Sequence, residues 1–143
     1  MTDLLDGEPP SAYQDLLGYR LSRWEDGLAE LELVVDARHR NRAGVVHGGV
    51  FMSLLDTVSG FCLTFCPLPG RVRRAMTLSL STSFLGQAQD GTLLAVGRMR
   101  GGGRKIVAAA AEIRHRETGA LLATSEGMFK YRPGCDDPDG VPL

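Results

Sequence analysis

Residues 41–60 read NRAGVVHGGVFMSLLDTVSG, and this stretch decides how the rest of the chain must fold. A loop of small residues leads through His47-Gly48-Gly49 into an apolar segment that carries one acid, Asp56. Between Arg42 and Arg71 no other side chain is formally charged. Burying a lone carboxylate costs several kcal/mol unless a partner satisfies it. Folding alone therefore gives no reason for an acid at position 56. We interpret Asp56 as a residue that takes part in chemistry beside the helix N-terminus that His47-Gly48-Gly49 opens.

The segment after His47 has the periodicity of a long helix. Its apolar residues recur at spacings of three and four, which predicts about five helical turns. Pro67 and Pro69 are expected to end the helix. The opposite stripe is small apart from the acid, so a ligand or a partner chain could approach it closely. The apolar set is Val50, Phe51, Leu54, Leu55, Val58, Phe61, Cys62 and Phe65, and the stripe is Gly49, Ser53, Asp56 and Gly60.

The rest of the chain reads mainly as strands, with apolar and polar residues alternating between short turns. So apolar a helix must be covered, which predicts an α+β fold in which an antiparallel sheet wraps around one long central helix. We expect a single domain over residues 1–143, with its core at about 15–131 and flexible ends. A short helix is predicted from Ser11 to Leu17, a flexible break at 101–103 and a disordered tail from 132. The predicted strands are 19–24, 28–36, 75–85, 92–99, 105–115 and 120–131.

Composition narrows the class of protein. Hydrophobic residues make up 43% and charged residues 23% of the chain, as in ordinary globular proteins. The net charge of −1 argues against a nucleic-acid binder, and no uninterrupted apolar run is long enough to span a membrane. The acidic N-terminus does not resemble a secretory signal. Three cysteines are too few for a disulfide framework, so we expect a cytoplasmic protein with Cys62 and Cys66 in the core and Cys135 exposed.

The spacing of these residues resembles a known family. Asn41, the His47-Gly48-Gly49 turn, Asp56 nine positions after His47, and a late Gly-Ala-Leu-Leu-Ala-Thr strand together resemble hotdog-fold acyl-CoA thioesterases of the phenylacetate-pathway (PaaI) type. The resemblance covers about residues 15 to 131. It implies hydrolysis of an acyl-CoA thioester to a free acid and CoA. It implies no cofactor apart from the coenzyme A of the substrate, and no metal.

The chemistry of thioester hydrolysis suits this stretch. Unpaired N–H groups at a helix N-terminus, aided by the helix dipole, stabilise a developing oxyanion. Gly48 suits that position because a missing side chain lets the thioester touch the backbone, and one such donor contributes about 3–4 kcal/mol in comparable enzymes. Asp56 would act as nucleophile or as general base for water, which the sequence leaves open. The structural alternative for Asp56 is an acid bonded to backbone or to a partner chain's helix end.

The resemblance also implies roles for residues around this pair. Asn41 would hold the attacking water or the acid, although Asn is also common in plain turns. His47 would orient the loop near the thioester, or serve only as a structural histidine. Thr77 falls where relatives place a Ser or Thr near the acid, or is an ordinary strand residue. Gly49 would contact the substrate, and Arg98, Arg104 and Lys105 would meet the phosphates of CoA or form a solvated hairpin.

Two other functions remain open. A hydratase or dehydratase on the same fold could pair His47 with Asp56, but its Asp-x-Asn-Pro-x-His pattern is absent. A non-catalytic acyl-CoA-binding module could use the same groove without turnover. Nucleophile elbows, phosphate-binding loops and zinc-type His/Cys spacings are missing from the sequence. The acyl group, whether aryl-acetyl, benzoyl or aliphatic, is not predicted.

The resemblance implies a homodimer that joins sheets edge to edge, and two such dimers in a tetramer. Gly48 and Asp56 would then come from opposite chains. Helix geometry favours the same arrangement, because eight residues separate Gly48 from Asp56 by roughly 12 Å along the axis. One thioester carbon cannot easily be reached by both groups of a single chain.

Overall fold

The computed structural model of the protein describes residues 8–143. Its helices are α1 (Ala12–Leu17) and α2 (Gly48–Leu63), with a short 3-10 turn at Ala37–His39. Its strands are β1 (Arg20–Glu25), β2 (Leu28–Val34), β3 (Arg71–Val72), β4 (Ala75–Phe84), β5 (Thr92–Gly102), β6 (Ile106–His115), β7 (Leu121–Tyr131) and β8 (Val141–Pro142).

The main sheet has six antiparallel strands in the order β1-β2-β5-β6-β7-β4, and α2 packs against its inner face. Leu54, Leu55 and Val58 of α2 are fully buried there, together with Leu31 of β2 and Ile113 of β6. The predicted α+β architecture, a sheet around one long helix, is confirmed. No helix within residues 8–143 is long and apolar enough to cross a membrane.

A glycine of the sheet sets how closely α2 can approach. A Cβ added to Gly97 of β5 would lie 2.6 Å from the backbone oxygen of Val58 in α2. The cross-strand neighbours of Gly97 are also small, Ala29 on β2 and Ala111 on β6. The helix therefore rests directly on the backbone of the sheet at this point.

Strand β4 departs from the alternation that its sequence predicts. Strict alternation would place Thr77 and Phe84 on opposite faces, since seven positions separate them. A β-bulge between Thr77 and Ser79 adds one residue to β4, so that Thr77 pairs with Phe129 and Phe84 pairs with Ala123. The prediction of an unbroken strand was wrong here, because the bulge turns Thr77 and Phe84 toward the same face, that of α2.

Helix α2 is slightly shorter than predicted, at 16 residues ending at Leu63. Side chains from the sheet satisfy its last carbonyls: the Trp24 indole N–H donates to Phe61 O at 2.8 Å, and the Tyr131 hydroxyl donates to Leu63 O at 2.7 Å. Phe65, which was expected in the helix, instead packs edge-on against Trp24. Cys62 is buried as predicted, whereas Cys66 is partly exposed.

The prediction of a disordered tail from residue 132 was wrong. Arg73 donates from Nε to the carbonyl of Cys135 at 3.0 Å, and β8 pairs with β3. Cys135 is consequently 2% exposed, not an exposed thiol. The expected break at 101–103 is also wrong in part, since β5 continues through Gly102. The lead-in predicted at the N-terminus falls partly on residues 1–7, which lie outside the described residues.

Candidate active site

The N-terminus of α2 presents one free backbone donor. His47 caps the helix, and its Nδ1 accepts the Gly49 N–H at 2.8 Å. The Val50 N–H bonds to His47 O at 2.9 Å. Within residues 8–143 the Gly48 N–H has no hydrogen-bond acceptor. Gly48 is therefore the first donor available to a ligand, and the ring proton of a neutral His47 must lie on Nε2.

The ring of Phe84 borders this donor. A Cβ on Gly48 would stand 3.3 Å from Phe84 Cε1. Phe84 stacks in turn on Phe51 of α2, with ring centroids 6.4 Å apart. Glycine at position 48 thus leaves a narrow approach to the N–H, one side of which is aromatic.

Asp56 lies on the stripe of α2 that faces away from the core, and it is half-buried. Its Oδ1 accepts the hydroxyl of Thr77 at 2.6 Å. Among the described residues, no group donates to Oδ2. The structure therefore brings the predicted pair Asp56 and Thr77 together, with one carboxylate oxygen held and the other free.

The single chain does not bring Gly48 and Asp56 together. Both belong to α2 and are separated by eight residues, or roughly 12 Å along the helix axis. Each half of the expected chemistry is present, the donor at the helix start and the acid two turns later. One chain alone does not place them around a common carbon atom.

The side chain of Asn41 is used in the loop before α2. Its Oδ1 accepts the backbone N–H of Ala43 at 2.9 Å and that of Val45 at 3.4 Å. This is the turn role that the sequence left open for Asn41. Asn41 and His47 nevertheless line the same open groove, and in the described chain the Asn41 amide nitrogen has no acceptor.

The basic residues that were expected at CoA do not form one cluster. Arg104 pairs through Nε with Asp136 Oδ2 at 2.7 Å. Arg98 follows Gly97, which faces α2, so its side chain lies on the opposite, outer face of the sheet. Lys105 is exposed just before β6. The sheet therefore lies between the Arg98 side chain and α2.

Sequence reasoning missed two contacts of α2. The hydroxyl of Tyr13 in α1 lies 2.6 Å from Ser53 Oγ, which itself donates to Gly49 O at 2.8 Å. The contact between Tyr13 and Ser53 spans 40 residues of sequence. A helix capped by Ser11 could be predicted, but no local signal says which element that helix packs against.

The family assignment comes from comparison with known proteins. Residues 43–122, which include Gly48, Asp56 and Thr77, match the model of the family described as "Thioesterase superfamily". This match covers more than half of the chain. The chain belongs to the thioesterase superfamily. The resemblance drawn from the His47-Gly48-Gly49 and Asp56 spacing is confirmed.

Individual relatives agree with this assignment. The chain is 32% identical over 120 residues to "Putative esterase PA0474" of Pseudomonas aeruginosa, covering 80% of this chain and 84% of the relative. The solved structure of conserved protein PA5202 from the same species has 30% identity and a TM-score of 0.75, covering 86% of this chain and 95% of that one. The PaaI protein of the E. coli phenylacetic acid degradation operon has 24% identity and a TM-score of 0.74, with 85% of each chain covered. The fold is the hotdog fold, and the family supports hydrolysis of thioesters as the reaction class.

Proposed function

We propose that this protein hydrolyses an acyl-CoA thioester to a free acid and CoA. The observation that carries the proposal is the geometry of α2. The Gly48 N–H, unpaired within residues 8–143, opens the helix, and Asp56, held by Thr77, lies on the stripe that faces away from the core. An oxyanion donor and a carboxylate are the two groups that hydrolysis of a thioester requires.

Gly48 supplies the electrophilic half of the proposed reaction. The carbonyl oxygen of the thioester accepts the Gly48 N–H, and the positive end of the α2 dipole favours the charge that develops on that oxygen. Because the Gly49 N–H already donates to His47 Nδ1 and the Val50 N–H to His47 O, the Gly48 N–H is the donor left for the substrate oxygen. His47 Nε2–H and the Asn41 amide, which line one groove, are proposed to contact the substrate or the attacking water.

Asp56 supplies the nucleophilic half. Its free Oδ2 takes a proton from water, whose oxygen attacks the carbonyl carbon, and the C–S bond then breaks as the CoA sulfur leaves and is protonated. Attack by Oδ2 itself, followed by hydrolysis of the anhydride, gives the same products. Thr77 holds Oδ1 in either case and so fixes the direction of Oδ2. Arg104 and Lys105 are the proposed contacts of the CoA phosphates, and Arg98, on the outer face, would need a different route to them.

The proposed site is shared between two copies of the chain in a homodimer. Strand β4 is an edge of the sheet, and its Met76 and Leu78 are 42% and 48% exposed. An open edge with exposed apolar residues favours pairing with another strand. Two chains joined at β4 would place their α2 helices side by side, with Gly48 of one near Asp56 of the other. A tetramer of two such dimers is part of the same proposal.

Asp56→Asn tests the chemistry. The amide keeps the size of the side chain and cannot serve as base or nucleophile, so we expect thiol release from acyl-CoA to fall roughly 10²–10⁴-fold. Asp90→Asn, an exposed acid whose carboxylate has no bonding partner in residues 8–143, is the matched control. Persistence of turnover within about tenfold in Asp56→Asn contradicts the assignment. Hydration of an enoyl-CoA without thiol release, or tight acyl-CoA binding without turnover, would replace the proposed function with one of the two alternatives.

Leu78→Lys tests the shared site. A charge on the β4 edge should convert the dimer to a monomer, which light scattering measures. Activity should fall in parallel with the dimer fraction, since each chain retains only half of a site. Val34→Lys, which alters a similarly exposed residue of β2, is the control. A monomeric Leu78→Lys with full activity would show that the site lies within one chain.

A further inference from the structure

The proposed oxyanion donor lies in two consecutive glycines, which have more backbone freedom than other residues. A donor contributes to catalysis only if its direction is fixed before the reaction. The structure fixes three successive peptide groups around Gly48. His47 O accepts from the Val50 N–H, Gly49 N–H donates to His47 Nδ1, and Gly49 O accepts from the Ser53 hydroxyl.

The last of these anchors is itself held by another element. The Ser53 hydroxyl gives its single hydrogen to Gly49 O at 2.8 Å. The contact of 2.6 Å between Ser53 and Tyr13 must therefore use the hydrogen of Tyr13, which donates to Ser53 Oγ. A continuous chain of hydrogen bonds thus runs from Tyr13 through Ser53 and Gly49 to the ring of His47.

Helix α1 is well placed to act as the fixed end of this chain. Ser11 caps it by accepting the Gln14 N–H at 3.0 Å, and Gly18 ends it in the left-handed conformation. At its C-terminal end, Leu16 O accepts from Arg38 at 2.9 Å and Leu17 O bonds to Nε2 of the fully buried His39 at 2.7 Å. His39 O accepts the His47 N–H. The loop before α2 is therefore tied to α1 at two separate points.

We propose that Tyr13 is a positioning residue of the active site, which orients the Gly48 N–H through Ser53 and Gly49. This inference rests on the proposed function, because it gives Tyr13 a role in the same reaction. Tyr13 lies in α1, outside residues 43–122, the part matched to the family model. Tyr13 touches neither the reacting atoms nor Gly48 itself.

Tyr13→Phe removes the hydroxyl and keeps the ring. Loss of one hydrogen bond that holds a transition-state donor should lower kcat about three- to tenfold. KM for acyl-CoA should stay within about twofold of the wild-type value, because the substrate does not contact Tyr13. Ser53→Ala should act in the same way. The double variant should lose no more than the larger single effect, because both changes break one chain.

Tyr131→Phe is the matched control. It removes a hydroxyl that donates to a carbonyl of the same helix, Leu63 O at the far end of α2. We expect this control to be less stable to urea with an unchanged kcat. A merely structural role for Tyr13 predicts the same behaviour for Tyr13→Phe, and that result would overturn the inference.

Hydrogen exchange of the Gly49 amide gives a readout that does not depend on turnover. Tyr13→Phe should raise this exchange rate by several-fold, whereas Tyr131→Phe should leave it unchanged. Unchanged Gly49 exchange together with wild-type kcat in Tyr13→Phe would contradict the inference and leave the proposed function intact. The two proposals can also fail separately. Faster Gly49 exchange in Tyr13→Phe would support the hydrogen-bond chain, even if full turnover in Asp56→Asn rejected the proposed chemistry.

Discussion

The two adjacent glycines at the start of α2 are required for different structural reasons. At Gly48 an added methyl group would meet the edge of the half-exposed Phe84 ring, 3.3 Å away. At Gly49 it would stand 2.9 Å from His47 Nδ1, inside the hydrogen bond that caps the helix. Gly48 is therefore required for access to the donor, and Gly49 for the cap.

Alanine substitutions separate these reasons. Gly48→Ala should fold with a free energy of unfolding within about 1 kcal/mol of wild type, since the exposed Phe84 ring can move aside. Its kcat/KM should fall by about 10²-fold because the methyl group obstructs the donor. Gly49→Ala should lose about 1 kcal/mol of stability by displacing the His47 cap. Urea unfolding and thiol-release kinetics measure both quantities, and equal activity in Gly48→Ala and wild type would contradict the role of Gly48.

At the scale of single residues, sequence reasoning succeeded where the signal was local. His47 as the residue before the helix, and Asp56 as a lone acid on its exposed stripe, follow from neighbours in sequence. Thr77 was placed by counting along its strand and does lie beside Asp56. Tyr13 could not be found, because its contact with Ser53 depends on how two helices pack.

At the scale of elements, α2 has two unlike sides. One side meets the sheet at Gly97, where the nearest atom to an added Cβ is a backbone oxygen 2.6 Å away. The other side is the open stripe, where a Cβ on Gly60 would meet no atom of the described residues within 4 Å. Alanine substitutions at Gly97 and at Gly60 therefore test the two opposite sides of α2.

Gly97→Ala should be strongly destabilising, by about 1–3 kcal/mol or more, because the backbone of α2 must shift to relieve the clash. Gly60→Ala should stabilise the chain by up to about 1 kcal/mol through helix propensity. Chemical unfolding of both variants, at a protein concentration that keeps the wild type's oligomeric state, makes the comparison. A destabilised Gly60→Ala would show that the proposed partner helix packs against the stripe at Gly60 itself, and a neutral Gly97→Ala would contradict the tight contact with β5.

Strand β4 shows what element prediction cannot supply. Its composition predicts a strand over 75–85, and β4 spans Ala75–Phe84. The bulge that turns both Thr77 and Phe84 toward α2 has no signature in that alternation. The bulge arises from the pairing of β4 with β7, because the register between the two strands shifts between Thr77 and Ser79 of β4. The candidate site depends on this bulge, since without it one of the two side chains would face away from the helix.

At the scale of the whole molecule, the C-terminal segment belongs to the folded domain. Its Gly, Pro and Asp content predicted disorder, because composition carries no record of distant partners. The structure supplies them: Arg71 donates to the carbonyls of Asp139 and Gly140 at 2.7 Å each, and Arg73 to that of Cys135. Arg71 and Arg73 therefore hold this segment through its backbone carbonyls.

The reactivity of the three cysteines measures whether the C-terminal segment stays bound to the domain. Burial raises the pKa of the Cys62 thiol to about 12, so it stays protonated and unreactive at pH 8. Cys135, which belongs to the C-terminal segment, is 2% exposed, whereas Cys66 is partly exposed. We therefore expect an aromatic disulfide reagent to label one thiol quickly in the native protein and all three in denaturant.

Arg73→Gln should release Cys135. The substitution removes the charge-assisted bonds to the carbonyls of Cys135 and Asp136 and the stacking of Arg73 on the Tyr131 ring, 4.7 Å from its centroid. Loss of about 1.5–3 kcal/mol of local stability should speed Cys135 labelling about tenfold or more. Arg74→Gln, whose side chain pairs with Glu8, should leave the rate unchanged. Rapid labelling of Cys135 in the wild type would mean that the segment detaches readily in solution, and equal rates in the two variants would assign the docking to contacts other than Arg73.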